Sequence, residues 1–259
     1  MRENWKKAGA LWEDIKRYCE SEPGVVGLFL GGSRGKNQAT QFSDYDVYVI
    51  TTEKDKKRIL ARFNRLKVQG FDFAVFSLPE FRKHALLGTD SEGYAYTYAH
   101  VKQVIDKTRG ELERLLREKA RIPKNKIRKY VEGYLDGYIN QVYRSLKCDR
   151  DGMPECARLE AAKGIPLFLN VIFGMEGRIT PYYKYLEWEL ENWPLKKFKA
   201  RPKQLVKDLL KILDGDLRVQ QKLLKRLEKA CRKEGYGKVF DSWGESLEWM
   251  KKYKPKKIG

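Results

Sequence analysis

The stretch that decides the fold runs from Val25 to Ile50 and reads VVGLFLGGSRGKNQATQFSDYDVYVI. Its apolar run ends at a double glycine followed by serine, and an alternating pattern typical of a strand begins at Asp44 after a polar segment. Asp44 and Asp46 are two positions apart, so both carboxylates point to the same face of that strand. The intervening side chains form its apolar face: Tyr45, Val47 and Val49.

The chemistry that this stretch supports follows from its carboxylates and its glycines. Two neighbouring carboxylates repel each other unless a cation lies near both, and Mg²⁺ is the expected cation because it prefers oxygen ligands. Gly31 and Gly32 let the backbone approach a ligand closely, and Ser33 adds a hydroxyl to the N–H groups of the turn. A phosphate-binding turn beside a metal-binding carboxylate pair is typical of phosphoryl or nucleotidyl transfer. Arg34 and Lys36 are candidates for neutralising the bound phosphate, and solvated loop charges are the alternative for both.

The same residues resemble the signature of the nucleotidyltransferase superfamily that includes DNA polymerase β. That signature is an apolar strand, Gly-Gly-Ser, a polar segment, and Asp-x-Asp entering a second strand. The layout is most similar to small antibiotic adenylyltransferases of the aminoglycoside or lincosamide type and to minimal nucleotidyltransferases. The resemblance implies ATP or another NTP as co-substrate, with two Mg²⁺ ions held by Asp44, Asp46 and a third carboxylate from a later strand.

Asp72 is the acid that matches this third carboxylate. It begins the strand predicted over Phe71 to Phe76 and faces the same way as Ala74 and Phe76. The resemblance implies that Asp72 orients or deprotonates the acceptor hydroxyl. A strand-start aspartate that only caps a turn is the alternative.

The order of predicted elements indicates an α/β (α+β) fold in two domains. A small mixed-sheet nucleotidyltransferase domain is predicted over residues 1–121, and an all-helical bundle domain that binds substrate over residues 122–259. Four finer predictions concern the limits of single elements: a helix from Ser77 to about Leu87, a strand over Ala99 to Ile105, a helix that starts at Thr180 and Pro181, and one helix over Val239 to Lys251.

Two lysines of the predicted helical domain are candidates for contacting the triphosphate. Lys163 and Lys184 are flanked in the sequence by apolar and aromatic residues, which is unusual for lysines, so each side chain could reach a buried anion. A surface lysine that extends its ammonium into water is an equally good explanation for each. Both therefore enter the candidate site as nucleotide-binding residues with that alternative open.

Composition limits the compartment and the partners. The chain has 54 Lys and Arg against 35 Asp and Glu, a net charge of +19, which permits an RNA partner, a thermophile-like surface, or attraction of the NTP. Four scattered cysteines and two histidines argue against a zinc site, and reduced thiols are expected, with a Cys148–Cys156 disulfide as the alternative. No apolar run approaches the length of a membrane span, so we expect a cytoplasmic protein without a membrane partner. The oligomeric state stays open.

Three functions are compatible with these residues. The first is transfer of NMP, most often AMP from ATP, to a hydroxyl of a small molecule, aminoglycoside-like by analogy. The second is the same reaction on RNA, such as a tRNA end, or on a protein side chain as in toxin–antitoxin systems. The third is a non-catalytic module that binds nucleotide or nucleic acid, against which the intact Gly-Gly-Ser and Asp-x-Asp argue. A polycationic acceptor needs an acidic cleft, and the candidate acids are Asp136, Glu160, Glu187, Glu189 and Glu191.

Overall fold

The computed structural model describes residues 2–66 and 68–255, and the side chains from residue 9 onward. The chain divides into two compact units, Met1–Arg121 and Ile122–Gly259. The first unit contains a four-stranded sheet with helices, and the second is built from helices. The predicted fold class, a small mixed-sheet domain followed by a helical region, is confirmed.

The sheet of the first unit has the strand order β3-β2-β1-β4. Its strands are β1 (Val25–Leu30), β2 (Tyr45–Thr51), β3 (Phe71–Ser77) and β4 (Gln103–Asp106). β1 is antiparallel to β2 and β4, whereas β2 and β3 are parallel. The apolar run of β1 occupies an inner position of the sheet, as continuous burial on both faces requires.

One face of the sheet packs against two helices, α1 (Arg2–Ser21) and α3 (Lys56–Arg65). Both helices bury apolar side chains against this face, Ile15 and Cys19 from α1 and Ile59 and Phe63 from α3. Val47 and Val49 of β2 are fully buried in this core, and Tyr45 packs against it. The predicted apolar face of this strand is therefore confirmed, and Asp46 lies on the other face.

That other face carries an aromatic cluster formed by Phe29, Tyr48, Phe76, Phe81 and Tyr98. The rings of Phe29 and Tyr48 stack with centroids 4.8 Å apart, and the ring of Tyr98 meets both edge-on. Phe81 comes from the helix α4 (Leu78–Lys83), which begins with a complete capping box between Ser77 and Glu80. The cluster fills the interior on the face of the sheet that also carries Asp46 and Asp72.

Two element limits in the first unit differ from the prediction. α4 ends at Lys83 rather than near Leu87, and the strand predicted over Ala99 to Ile105 is confined to β4. Residues Glu92–Tyr98 form a 3-10 helix whose last four side chains are buried. The predicted strand starts late because Ala99 and His100 form a turn in which His100 has φ +60°, a conformation outside the β region. The remaining helices of the unit are short: α2 (Gly32–Gly35) and α5 (Glu111–Lys119).

The second unit is organised by the packing of its two longest helices, α6 (Ile127–Arg150) and α7 (Pro154–Met175). Shorter helices follow: α8 (Leu186–Asn192), α9 (Pro202–Leu213), α10 (Leu217–Lys233), α11 (Gly237–Asp241) and α12 (Gly244–Lys252). The helix start predicted at Thr180 is wrong. The Thr180 hydroxyl donates to Asn170 Oδ1 at 2.6 Å instead of capping a helix, and the next helical turn is a 3-10 segment, Tyr183–Tyr185. The single helix predicted over Val239 to Lys251 is also wrong, because Gly244 interrupts it with φ +43°.

The four cysteines of the chain do not form a disulfide. Cys19, Cys148, Cys156 and Cys231 are all free thiols, so the Cys148–Cys156 disulfide is not formed. Burial raises the pKa of Cys19 and of Cys231 to about 12, which makes both thiols unreactive near neutral pH. Among the described residues, no helix combines the length and the apolarity needed to cross a membrane.

A buried lysine joins α5 to the end of α4. Lys119 is 2% exposed, and its ammonium donates to the backbone carbonyls of His84 at 2.5 Å and of Arg82 at 3.3 Å. These carbonyls belong to the carboxyl end of α4, where a cation is favourable. Burial nevertheless lowers the pKa of the Lys119 ammonium to about 8.

The free energy of unfolding should increase with pH because of the lowered pKa of Lys119. Between pH 7.5 and 9.5 folded Lys119 loses its proton while the unfolded side chain, with its ordinary pKa of 10.5, keeps it. The unfolded state then binds more protons, so the free energy of unfolding increases by about 2 kcal/mol. Urea unfolding of the wild type and of Lys119→Met at both pH values measures this gain as the difference between the two proteins. The same pH dependence in both would contradict it.

Candidate active site

Two carboxylates lie side by side on one face of the sheet, at the edge where β2 and β3 begin. Asp46 and Asp72 are register partners on these parallel strands, and such partners are about 4.8 Å apart with side chains on the same face. Asp46 is half-buried and Asp72 is exposed. The structure therefore brings together two of the residues that the sequence singles out.

The repulsion between these two carboxylates is large enough to matter. At about 5 Å, two unit charges repel by roughly 1 kcal/mol in water and by roughly 3 kcal/mol at the effective dielectric of a protein surface. A cation placed near both would replace that repulsion by attraction. The pair is thus electrostatically suited to a metal ion.

The turn after β1 packs directly against Asp46. Gly31 donates its backbone N–H to the backbone carbonyl of Asp46 at 2.8 Å. A Cβ atom on Gly32 would lie 1.9 Å from Oδ2 of Asp46, and Gly32 has φ +51°, which favours glycine. A Cβ on Gly31 would lie 2.6 Å from the ring of Tyr48. The double glycine therefore leaves room for the Asp46 carboxylate and for the aromatic cluster beneath it.

Ser33 follows the double glycine inside the short helix α2. Its side chain is largely buried, and its carbonyl accepts a hydrogen bond from the Gln38 N–H at 2.7 Å. Gly35 closes the turn so tightly that a Cβ there would lie 2.0 Å from the Leu30 carbonyl oxygen. The turn is compact beside the carboxylate pair, and a phosphate contact by Ser33 stays a prediction.

Arg34 holds the segment that enters β2. Its guanidinium donates to the backbone carbonyl of Ser43 at 2.8 Å and to that of Asp44 at 3.0 Å. The same group lies 3.8 Å from the ring centroid of Tyr45, a cation–π contact. Asp44 itself is exposed and immediately precedes β2. Arg34 is thus a positioning residue for Asp44, and its predicted phosphate contact stays a prediction.

Lys36 is buried rather than directed outward. It is 4% exposed, its ammonium donates to the carbonyl of Thr97 at 3.0 Å, and it lies 5.0 Å from the ring centroid of Tyr96. These contacts tie the turn after β1 to the buried 3-10 segment. A structural role therefore has direct support, whereas neutralisation of a phosphate by Lys36 stays a prediction.

The donor set at the edge of the sheet fits Mg²⁺ in one particular way. Among the described residues, no three His, Cys, Asp or Glu side chains are grouped closely enough to hold a metal ion by themselves. Mg²⁺ is commonly bound by one or two carboxylates together with substrate phosphates and water. Asp46 and Asp72, with Asp44 two positions before Asp46, can supply the carboxylate ligands of such a coordination shell. Binding of two Mg²⁺ ions, which the resemblance implies, stays a prediction.

The two lysines predicted to contact the triphosphate from the second unit lie on separate elements of that unit. Lys163 is an exposed residue of α7, and Lys184 is an exposed residue of the 3-10 segment Tyr183–Tyr185. The Lys184 ammonium lies 5.6 Å from the ring centroid of Tyr185. Contact of either lysine with a nucleotide stays a prediction.

Three contacts at this site involve residues that the sequence did not single out. Tyr45 receives the Arg34 guanidinium, Tyr48 packs against Gly31, and the carbonyl of Thr97 accepts from Lys36. The two tyrosines lie within the Asp-x-Asp strand, so their proximity to the site was available from the sequence. The Thr97 contact joins distant parts of the chain, and no local pattern indicates it.

Comparisons with known proteins agree with the geometry of the first unit. Residues 13–82 match the family model described as polymerase beta, nucleotidyltransferase. The match includes the Gly-Gly-Ser turn, Asp44, Asp46 and Asp72, so the predicted resemblance to the nucleotidyltransferase superfamily is confirmed for this part of the chain. The comparison with curated proteins found no match to this chain.

One solved structure is similar to the chain over most of its length. It is a nucleotidyltransferase-like protein from Exiguobacterium sibiricum 255-15, with 12% sequence identity and a TM-score of 0.43. The alignment covers 94% of this chain and 78% of that chain. A likeness at this level supports no inference about substrate or mechanism.

The contact between Gly32 and Asp46 can be tested with a pair of glycine variants. Gly32 and Gly70 both have positive φ, but a Cβ on Gly70 meets nothing within 4 Å. Each change to alanine should cost about 1–2 kcal/mol of stability through backbone strain. Only Gly32→Ala displaces the Asp46 carboxylate, so only it should abolish binding of Mg²⁺-ATP in calorimetry. Equal binding by the two variants would contradict the predicted role of the glycine.

The role of Arg34 as a positioning residue predicts a failure of lysine to replace it. Arg34→Lys keeps the charge but loses the planar guanidinium, which donates to two carbonyls at once and stacks on the ring of Tyr45. Hydrogen exchange of the amides in residues 40–45 should therefore increase at least tenfold, as it should in Arg34→Ala. Arg117→Lys, at an exposed helical arginine, is the matched control. Wild-type protection in Arg34→Lys would show that charge alone is needed.

Proposed function

We propose that this chain is a Mg²⁺-dependent nucleotidyltransferase that moves NMP, most often AMP from ATP, to a hydroxyl group. The nucleotidyltransferase domain of residues 13–82 supports transfer of NMP in general. The observation that carries the proposal is the register of Asp46 with Asp72 beside the double glycine. The four free thiols fit the predicted cytoplasmic location, which is part of the proposal.

The proposed reaction assigns one role to each carboxylate. Asp44 and Asp46 would hold Mg²⁺ together with triphosphate oxygens, and Asp72 would add a ligand for a second ion. The bound metal neutralises charge on the triphosphate and on the leaving pyrophosphate. Asp72 is exposed and would accept the proton of the acceptor hydroxyl. The hydroxyl oxygen then forms a bond to the α-phosphorus, and the bond from that phosphorus to pyrophosphate breaks.

The turn after β1 would bind the β- and γ-phosphates of the nucleotide. Gly32 and Ser33 would supply backbone N–H groups and one hydroxyl at a place that Asp46 already adjoins. The N–H of Gly31 donates to the Asp46 carbonyl, so Gly31 would contribute by letting the nucleotide approach the backbone closely. Arg34 would act mainly by holding Asp44 in place, because the Arg34 guanidinium already donates to the carbonyls of Ser43 and Asp44. Lys36, Lys163 and Lys184 remain proposed nucleotide-binding residues that only a measurement of binding can assign.

The proposed acceptor is a small molecule with a free hydroxyl, aminoglycoside-like by analogy, bound by residues 122–259. Three of the five acids that could attract a polycation already have partners within that unit. Glu160 accepts from Arg144 Nε at 2.9 Å, Glu189 pairs with Arg178, and Asp136 accepts from the Trp243 indole at 2.9 Å. The remaining two, Glu187 and Glu191, are not enough by themselves to make a strongly acidic site.

RNA is the second candidate acceptor, with a protein side chain as a further alternative. The observation that favours RNA is the charge of the second unit. Its helix α10 alone carries seven Lys or Arg residues against one Glu. A tRNA end offers the same kind of hydroxyl to Asp72 as a small molecule would.

The proposal predicts transfer of label from an α-labelled NTP in the presence of Mg²⁺. Aminoglycosides, tRNA and cell protein are supplied as separate acceptor pools, and the labelled pool identifies the acceptor class. Asp46→Asn and Asp72→Asn should each lower the rate by at least 100-fold, the usual contribution of such groups. Asp90→Asn, at an exposed loop aspartate, is the matched control and should keep the wild-type rate.

Two other outcomes would contradict the proposal in different ways. Binding of Mg²⁺-NTP without transfer to any pool would support the non-catalytic module instead. Transfer that persists in Asp46→Asn and Asp72→Asn would show that the reaction occurs elsewhere in the chain.

A further inference from the structure

The exposed side of α10 carries a continuous row of cations. Five exposed residues, spaced three or four apart, share this side, and we name them the basic stripe: Arg218, Lys222, Lys225, Lys229 and Lys233. Side chains at this spacing lie one above the other on a helix. With a rise of 1.5 Å per residue, the stripe is about 22 Å long.

The acids near α10 bind other cations and leave the basic stripe without counter-charges. Glu228 pairs with Arg232 and Lys251, and Glu234 pairs with Lys197. Asp216 caps the helix by accepting from backbone N–H groups. Within the described part of the chain, no side chain of the basic stripe forms an ion pair or a hydrogen bond. The helix therefore carries an uncompensated row of positive charge.

This row of charge is unfavourable for the helix that bears it. Like charges three or four residues apart destabilise a helix by a few tenths of a kcal/mol per pair. The opposite side of α10 is buried through Leu223, Leu224 and Leu227, which keeps the helix folded in spite of the repulsion. A linear polyanion laid along the stripe would remove the repulsion along its whole length.

We propose that the basic stripe binds the phosphate backbone of RNA. Phosphodiester groups supply a row of negative charges, and lysines bind phosphates as point charges without reading bases. Every exposed position of α10 is Lys or Arg, so base-specific contacts from this helix are not expected. The basic stripe thus provides affinity for RNA that is independent of sequence and sensitive to salt.

A membrane surface fits this helix less well than RNA does. Helices that lie on membranes insert an apolar face between the lipids, whereas the apolar face of α10 is occupied inside the unit. The choice of RNA over DNA rests on the second candidate acceptor of the proposed function, because RNA carries a hydroxyl at each 2′ position besides its 3′ end. Binding itself needs no transfer reaction, so the two proposals can fail separately.

The test is the salt dependence of tRNA binding, measured by fluorescence anisotropy with no NTP present. The stripe variant is Lys222→Gln/Lys225→Gln/Lys229→Gln. The control variant removes the same charge at three exposed lysines elsewhere in the second unit, Lys124→Gln/Lys129→Gln/Lys238→Gln. For the wild type, log K should fall steeply with log salt. In the stripe variant the slope should be shallower by about 2 to 3, and affinity at low salt should fall at least tenfold.

The control variant and a thermal melt separate this role from a loss of structure or of net charge. The control should keep a salt slope within about 1 of the wild type, and the stripe variant should melt no lower than the wild type. Equal loss in both triple variants would overturn the proposal, because diffuse net charge would then suffice. So would the absence of tRNA binding by the wild type, or tighter binding to duplex DNA or to phosphatidylserine vesicles than to tRNA.

Discussion

The parallel register that places Asp72 beside Asp46 is the constraint on which the first unit depends. Two carboxylates on one face of neighbouring strands repel each other, and a sheet tolerates them best where a cation can approach. The glycine turn after β1 lies against the same Asp46 carboxylate and leaves it room. A metal-bound nucleotide would fit at this place because the acids and the backbone N–H groups of the turn meet there.

Two cations that follow the double glycine, Arg34 and Lys36, donate to backbone carbonyls. Arg34 binds the two carbonyls that precede β2, and Lys36 binds a carbonyl of the buried 3-10 segment. Arg34 therefore ties the turn after β1 to the residues that precede β2, and Lys36 ties it to the 3-10 segment. Under the proposed function, neutralisation of the triphosphate within this unit would therefore fall mainly to Mg²⁺.

Much of this arrangement could be predicted from the sequence because it follows from short-range patterns. Alternation along β2 places Asp46 on the face opposite Val47 and Val49, and the apolar run of β1 predicts an inner strand. The direction of the Arg34 side chain could not be predicted, because it depends on carbonyls that only the folded loop presents. The late start of β4 could not be predicted either, because the φ of +60° at His100 is uncommon for a residue other than glycine and no local pattern indicates it. Gly244 likewise breaks a helical pattern that appeared continuous.

The central claim is that Asp46 and Asp72 together form a metal-binding pair. Its most direct test is a crystal of the protein grown with Mn²⁺ and a non-hydrolysable ATP analogue, examined by anomalous scattering of manganese. The account predicts a manganese peak within about 2.5 Å of carboxylate oxygens of the pair and in contact with the triphosphate. A triphosphate bound elsewhere, or manganese that contacts neither Asp46 nor Asp72, would contradict it.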